Sequence, residues 1–305
     1  MIIETAQFKK SFLLPKYWLL WIGYSIFRLI MLLPYSLLLK IANFLSWIFL
    51  KLSVGKKRSK IIKKNLELCF KDLSDQELDK LTKSNIQETG MGIISTGMAW
   101  FWSDKRIAKY SKVSNLEIIQ KLNNTPTLMV GVHFLALELG ARILSLYVSG
   151  IGIYRPHNNP LMEYFQVKGR LKSADGLVAK DDIKGIIKAL KSKKMIWYAP
   201  DQDYGLRSSV FVPFFDVKNT ASTKGSYFLL KKVPESNLGS FAIIRESYGY
   251  RVDISKPTNF SLTNEFDIAL ILNKIVEKEI LKAKDQYLWM HKRFKTRPEG
   301  ENSYY

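Results

Sequence analysis

A mixed α/β sheet flanked by helices, preceded by an N-terminal membrane-anchor helix, is the fold that three features of this 305-residue sequence predict. Short apolar runs bounded by turn residues read as buried strands. Helical periodicity fills the stretches between them, the alternation expected of a sheet covered by helices. A long apolar segment with a single charge lies near the N-terminus. Hydrophobic residues are 47% and aromatics 13% of the chain, enough to bury a large core, and the length suits one large domain or a domain plus an appendage.

Residues 1–16 form an N-terminal tail. Residues 17–39 read YWLLWIGYSIFRLIMLLPYSLLL, long enough as one helix to cross about 30 Å of hydrocarbon, with 41–50 as an apolar extension. Tyr17, Trp18 and Trp21 sit where an interfacial aromatic belt would lie. Arg28 opposes a full span, because a charge at mid-membrane costs about 2.5–3.5 kcal/mol; an interfacial hairpin dipping into one leaflet is the alternative. Lys51, Lys56, Lys57, Arg58, Lys60, Lys63 and Lys64 crowd the C-terminal flank, so the positive-inside rule places residues 51–305 in the cytoplasm.

Within that region Ser74 and Glu77 form a capping box that starts a helix running through Trp102. Residues 126–132 read as a buried strand, 134–146 as a helix, 182–191 as a helix and 195–199 as a second strand. Residues 241–244 and 250–254 are further strands, and 266–284 an amphipathic helix.

Forty-seven Lys and Arg against 27 Asp and Glu leave a net charge of +20, which calls for an anionic partner: nucleic acid, a membrane surface, or an acidic protein or substrate. Residues 1–64 hold twelve basic residues and one acid, so more than half of the excess belongs to the anchor and its flank, which favours a membrane. Cys69 is the only cysteine, and His133, His157 and His291 the only histidines, which excludes an intrachain disulfide and argues against a Cys- or His-rich metal site.

The chemistry-bearing segment is Gly131-Val-His-Phe-Leu-Ala-Leu-Glu138. It sets a histidine at a strand end, where α/β sheets bind ligands, and a carboxylate five residues on. On a continuous helix the two would lie about 140° apart. With His133 in the strand-to-helix turn, the ring can bend back toward Glu138, which would hold one ring nitrogen and leave the other as a general base. Such a pair, with no protein nucleophile, suits a hydroxyl attacking an activated acyl group.

Several longer motifs are similar to one family. They are Gly97-Met-Ala-Trp-Phe-Trp102, Val132 to Arg142, Tyr154-Arg-Pro156 with Asn159-Pro160, Gly169-Arg-Leu-Lys-Ser173, Trp197 to Gly205, Arg207 to Pro213 and Arg293 to Gly300. Together they resemble the late acyltransferases of lipid A biosynthesis, the lauroyl/palmitoleoyl/myristoyl branch, over nearly the whole chain. The Gly97–Trp102 run is more similar to the lauroyl and palmitoleoyl members than to the myristoyl ones.

The resemblance implies transfer of a fatty acyl chain, lauroyl foremost, from acyl carrier protein to a hydroxyl of Kdo2-lipid IV(A), at the cytoplasmic face of the bacterial inner membrane. Acyl carrier protein and the lipid A precursor are then the partners, with acyl carrier protein bringing the co-substrate; no cofactor, metal or nucleic acid is implied. His133 and Glu138 fall on the family's H-x4-D/E pair as catalytic residues. Arg170 falls on an active-site arginine and Asp201 on an acidic position after the Ala-Pro turn, both suited to transition-state or substrate positioning. For the oxyanion, Arg170 and backbone N–H groups are alternative donors. Asp201 and Asp203 also fit the ordinary backbone chemistry of a turn.

Arg155, Arg207, Arg293 and Arg297, with Lys295, are candidates for the lipid's phosphates and carboxylates, which guanidinium forks match well. His291 reads as structural. The chain departs from the family at His157-Asn-Asn-Pro160, where relatives often carry an acid in place of Asn158, and in a shorter stretch from Val233 to Tyr250. A glycerolipid acyltransferase using the same H-x4-acid logic, and a membrane-tethered nucleic-acid-binding protein, are the competing readings.

Overall fold

The computed structural model describes residues 2–305. Four helices come first: α1 (Trp18–Ile30), α2 (Tyr35–Lys51), α3 (Ser53–Cys69) and α4 (Asp75–Phe101). The expected single helix over 17–39 is therefore two. Met31–Pro34 forms a turn, and Pro34 becomes the N-cap of α2 because its ring cannot continue α1. The Met31 carbonyl, left without a helical partner, is taken up by Trp102 Nε1 at 2.9 Å and Arg106 Nη1 at 2.8 Å, so the break is satisfied by hydrogen bonds.

No single helix among the described residues is long and apolar enough to cross a membrane. Helices α2 and α3 pass together by length and composition, but they bend by 93° where they meet. Nor is the segment a separate appendage. Met31, Tyr35, Leu38 and Ala42 are buried in the same core as the sheet. Gly90 lets α4 approach α2 closely: a Cβ there would stand 2.0 Å from the Ala42 carbonyl oxygen. The capping box at the start of α4 is formed, with the Ser74 N–H donating to Glu77 at 2.8 Å.

The remaining elements alternate. They are α5 (Asp104–Lys109), β1 (Ser111–Ser114), α6 (Leu116–Leu122), β2 (Thr127–Gly131), α7 (Leu137–Leu144), β3 (Ile151–Tyr154), α8 (Pro160–Arg170) and β4 (Gly176–Ala179). Then come α9 (Ile183–Lys191), β5 (Met195–Tyr198), β6 (Ser209–Phe214), β7 (Val217–Thr223), α10 (Gly225–Lys232), β8 (Asn237–Glu246), β9 (Gly249–Ser255) and α11 (Glu265–Leu281).

Seven strands form one sheet in the order β1-β9-β8-β2-β5-β3-β4. Every neighbouring pair is parallel except the β8–β9 hairpin, so the sheet is mixed. Strand β2 is buried at all five positions, as its continuous apolar run requires. Strands β6 and β7 form a separate hairpin. The N-terminal tail adds to the edge, with Ile3 and Leu177 of β4 exchanging two backbone hydrogen bonds of 2.8 Å. On the other side of the tail Tyr24 of α1 stacks on Phe165 of α8 at 3.9 Å, which fixes the helix whose last residue is Arg170.

Candidate active site

His133 follows β2 in the turn that leads to α7, and β2 lies parallel to β5 with Val130 opposite Tyr198. Three residues beyond each of that pair are His133 and Asp201, so the register carries both to the same carboxyl edge of the sheet. The Asp201 carboxylate holds the histidine twice. Oδ1 lies 2.7 Å from ring Nδ1, and Oδ2 accepts the backbone N–H of His133 at 3.0 Å. Asp201 is buried, while the His133 side chain keeps 26% of its surface exposed.

Burial disfavours a charged imidazole, but the Asp201 charge and hydrogen bond outweigh it, and the His133 pKa is raised above its usual 6.5. Burial likewise opposes the Asp201 anion. The His133 charge and the hydrogen bonds from its ring and backbone prevail, and the carboxyl stays below its usual range. With Nδ1–H donated to Asp201, Nε2 is left as the lone-pair nitrogen of the neutral ring.

Glu138 is therefore not the partner of the histidine ring. From the first turn of α7 its Oε1 accepts Arg170 Nε at 2.7 Å and also Nη2 of the same guanidinium. Arg170 Nη1 has no protein acceptor among the described residues. The site thus holds two acid–base pairs, His133–Asp201 and Arg170–Glu138, where the sequence pattern suggests one. Spacing along the chain could not reveal the first of them, because its members are 68 residues apart and meet only through strand pairing.

Three of these four residues, His133, Glu138 and Arg170, line a cavity of about 450 Å³. Its walls are mostly apolar, with Ile93, Leu135, Leu137, Ile153, Leu177, Trp197 and Phe241 among them, and His133, Glu138 and Arg170 supply its charge. A concave apolar chamber with a few convergent polar groups is the usual form of a small-molecule site.

Other sequence candidates are placed differently. Arg293 is 1% exposed and donates to the Ala221 carbonyl at 2.6 Å and Ser222 Oγ at 3.1 Å, so it braces β7 instead of facing a ligand. Arg297 is spent on Glu301, the Asn219 carbonyl and Tyr304. Arg155 and Arg207 are exposed. Asp203 ties the loop after β5 to the C-terminal segment, accepting Gly205 N at 2.8 Å, Thr296 N at 2.7 Å and Thr296 Oγ1 at 2.8 Å. His157 and Asn159 cap α8: His157 Nδ1 accepts Asn159 N at 3.0 Å, and Asn159 Oδ1 accepts Leu161 N at 3.0 Å. His291 accepts a long 3.4 Å contact from Asp203 N, and burial together with neighbouring cations lowers its pKa.

A histidine–carboxylate pair and an arginine–carboxylate pair beside an apolar chamber, set on the carboxyl edge of an α/β sheet, are the features of an enzyme site with acid–base groups. The family model of bacterial lipid A biosynthesis acyltransferases matches residues 5–296, and the chain belongs to that family. A lipid A biosynthesis acyltransferase of Haemophilus influenzae (strain ATCC 51907 / DSM 11121 / KW20 / Rd) is 49% identical over 299 residues, covering 97% of this chain and 96% of the relative. The lipid A biosynthesis lauroyltransferase of Escherichia coli (strain K12) is 43% identical over 99% of both chains. The palmitoleoyltransferase of the same organism is 41% identical over the full length of both. The protein is an acyltransferase of lipid A biosynthesis.

Proposed function

We propose that this enzyme moves a fatty acyl chain, lauroyl by preference, from acyl carrier protein to a hydroxyl on a hydroxyacyl chain of Kdo2-lipid IV(A), at the cytoplasmic face of the inner membrane. The observation that carries the proposal is His133, which lines the apolar cavity with its Nδ1 held by Asp201. Nε2 takes the proton of the acceptor hydroxyl as its oxygen attacks the thioester carbonyl. The tetrahedral oxyanion lies against Arg170 Nη1, whose guanidinium Glu138 holds in place. Collapse re-forms the carbonyl as an ester and expels the carrier thiolate, which recovers the proton from His133. Asp201 steadies the imidazolium between the two transfers.

The N-terminal helices support a membrane setting. Trp18, Leu19, Ile22, Ile26 and Leu29 expose 52–80% of their surface along one side of α1, and Phe44 and Trp47 of α2 are 57% and 55% exposed. An apolar face of this kind beside a basic helix suits insertion into one leaflet.

The test is mass spectrometry of lipid products from the purified enzyme offered lauroyl-, myristoyl- and palmitoleoyl-carrier protein with the lipid A precursor. A precursor mass increased by one lauroyl chain is expected, and none with His133→Ala. Palmitoleoyl as the preferred chain would correct the specificity. Transfer to glycerol-3-phosphate or lysophospholipid, with none to the precursor, would overturn the acceptor.

A further inference from the structure

The segment from Leu288 to Lys292 separates two kinds of space. Leu288 and Met290 face the catalytic cavity, whereas His291 and Lys292 face a polar hollow of about 350 Å³ shared with Arg58, Asp203, Lys295 and Thr296. Arg58 and Lys292 also line an adjoining hollow of about 650 Å³, to which α3 adds Lys57, Lys60 and Lys64. Arg58 joins the parts, donating from Nη1 to the Met290 carbonyl at 3.0 Å.

The charge in these hollows is unbalanced. Lys57, Lys60, Lys292 and Lys295 have no ion pair among the described residues. Lys64 has only Glu67, at 3.9 Å. Asp203 is the one side-chain carboxylate in either lining, and both its oxygens are occupied by Gly205 and Thr296. Six cations gathered in these hollows against one lining side-chain carboxylate favour a ligand with several anionic groups. The rim adds a second constraint: Leu52 and Val54, at the start of α3, are 54% and 58% exposed and lie next in sequence to the apolar face of α2. A ligand that is anionic at one end and remains in a lipid layer at the other satisfies both.

We propose that the joined hollows bind the phosphate- or carboxylate-bearing head of the acceptor glycolipid, with Lys57, Lys60, Lys292 and Lys295 neutralising it while its acyl chain reaches His133 past Met290. The inference rests on the acyltransferase reading and adds to it the place where the acceptor is held. Concave hollows whose rim continues into the apolar face of α2 suit the head of a lipid-embedded molecule better than the convex surface of an acidic soluble protein.

The experiment compares binding of the full chain to phosphatidylcholine vesicles carrying a bisphosphorylated diglucosamine lipid with binding to vesicles carrying phosphatidylglycerol at equal charge. Wild type is expected to prefer the glycolipid by about tenfold. Combined Lys57→Ala, Lys60→Ala, Lys292→Ala and Lys295→Ala should abolish that preference, while the corresponding four Lys→Arg substitutions retain it and report on folding. Affinity for acyl carrier protein should be the same in all three proteins. The proposal is overturned if wild type shows no preference, if the alanine variant keeps it, or if the loss falls on the carrier protein. A glycolipid preference without acyl transfer would sink the enzymatic reading and leave this site standing.

Discussion

Asp201 holds His133 at two points, ring Nδ1 at 2.7 Å and backbone N–H at 3.0 Å, with one oxygen of a single buried carboxylate on each. The two contacts fix both the tautomer and the position of the loop that carries the base. They also raise the ring pKa, which sets how activity responds to pH.

Replacing Asp201 with Asn keeps the shape but removes the charge. The imidazole loses the interaction that raises its pKa, and the amide no longer enforces Nδ1 as the donor. kcat/KM is expected to fall by about 10²–10⁴, the usual worth of positioned acid–base catalysis. The acid limb of the pH–rate profile, above pH 6.5 in wild type, should move to lower pH in the variant. An unmoved limb would show that another group titrates.

Stability and activity should respond to pH in opposite senses. His133 has a raised pKa when folded, so its stabilising contribution is complete below about pH 6.5 and is lost as pH rises through the folded value. Asp201 has a lowered one, so its contribution is present above about pH 3.9 and is lost as pH falls through the folded value. The pair is thus most stabilising while His133 is charged and unable to accept a proton. Thermal unfolding and initial rates measured across one pH series should reach their maxima at different pH, with activity the higher; coincident maxima would rule this out.

Much of the fold was legible in the sequence. The runs at 126–132 and 195–199 became β2 and β5, the capping box at Ser74 starts α4, and 182–191 and 266–284 became α9 and α11 within a few residues. Each carries a local signal, either an apolar run or a cap. His133–Asp201 has no local signal, since it depends on the pairing of Val130 with Tyr198. Glu138 is visible by spacing, but its partner is Arg170, at the end of α8. In the N-terminal segment hydropathy suggested one span, while Pro34 already marked the break. Charge alone could not separate Arg293, a buried brace, from Arg155 on the surface.

Glu138 and Arg170 should behave as a unit. Removing either leaves a half-buried charge without its partner and frees the other to reorient. Glu138→Ala and Arg170→Ala are each expected to lower kcat by at least about tenfold, and the double variant should be little worse than the poorer single one. Steady-state kinetics on the four proteins of the cycle measure the coupling, and fully additive losses would mean that the two residues act separately.

Arg293 and Arg155, both candidates by charge for the lipid's anionic groups, differ in energetic role. Arg293→Ala strands the Ala221 carbonyl and removes a buried cation from the ring of Phe214, 5.2 Å away. A loss of about 2–4 kcal/mol in unfolding free energy is expected, against less than about 0.5 kcal/mol for Arg155→Ala. Urea unfolding decides it, and equal values for the two would contradict the structural role of Arg293.

Gly152 gives the acyl cavity a point at which its length can be changed. It lines the chamber from β3, where a Cβ would stand 2.9 Å from Leu177 Cδ2 and 3.8 Å from the Ala174 Cβ. A larger side chain there must occupy space that a long acyl chain would use, and Leu177→Ala on the neighbouring strand β4 should release it. Excluding a chain from the apolar site costs about 0.8 kcal/mol per methylene. Palmitoleoyl exceeds lauroyl by about four carbons, so Gly152→Val should penalise palmitoleoyl over lauroyl by up to about a hundredfold in kcat/KM. Gly152→Ala should act in the same direction with a smaller effect, and Leu177→Ala in the opposite one. Competition between the two acyl-carrier proteins, read by mass spectrometry of a single reaction, reports the ratio independently of how much enzyme is folded. A ratio that stays at the wild-type value in all three variants would place the acyl chain outside this cavity.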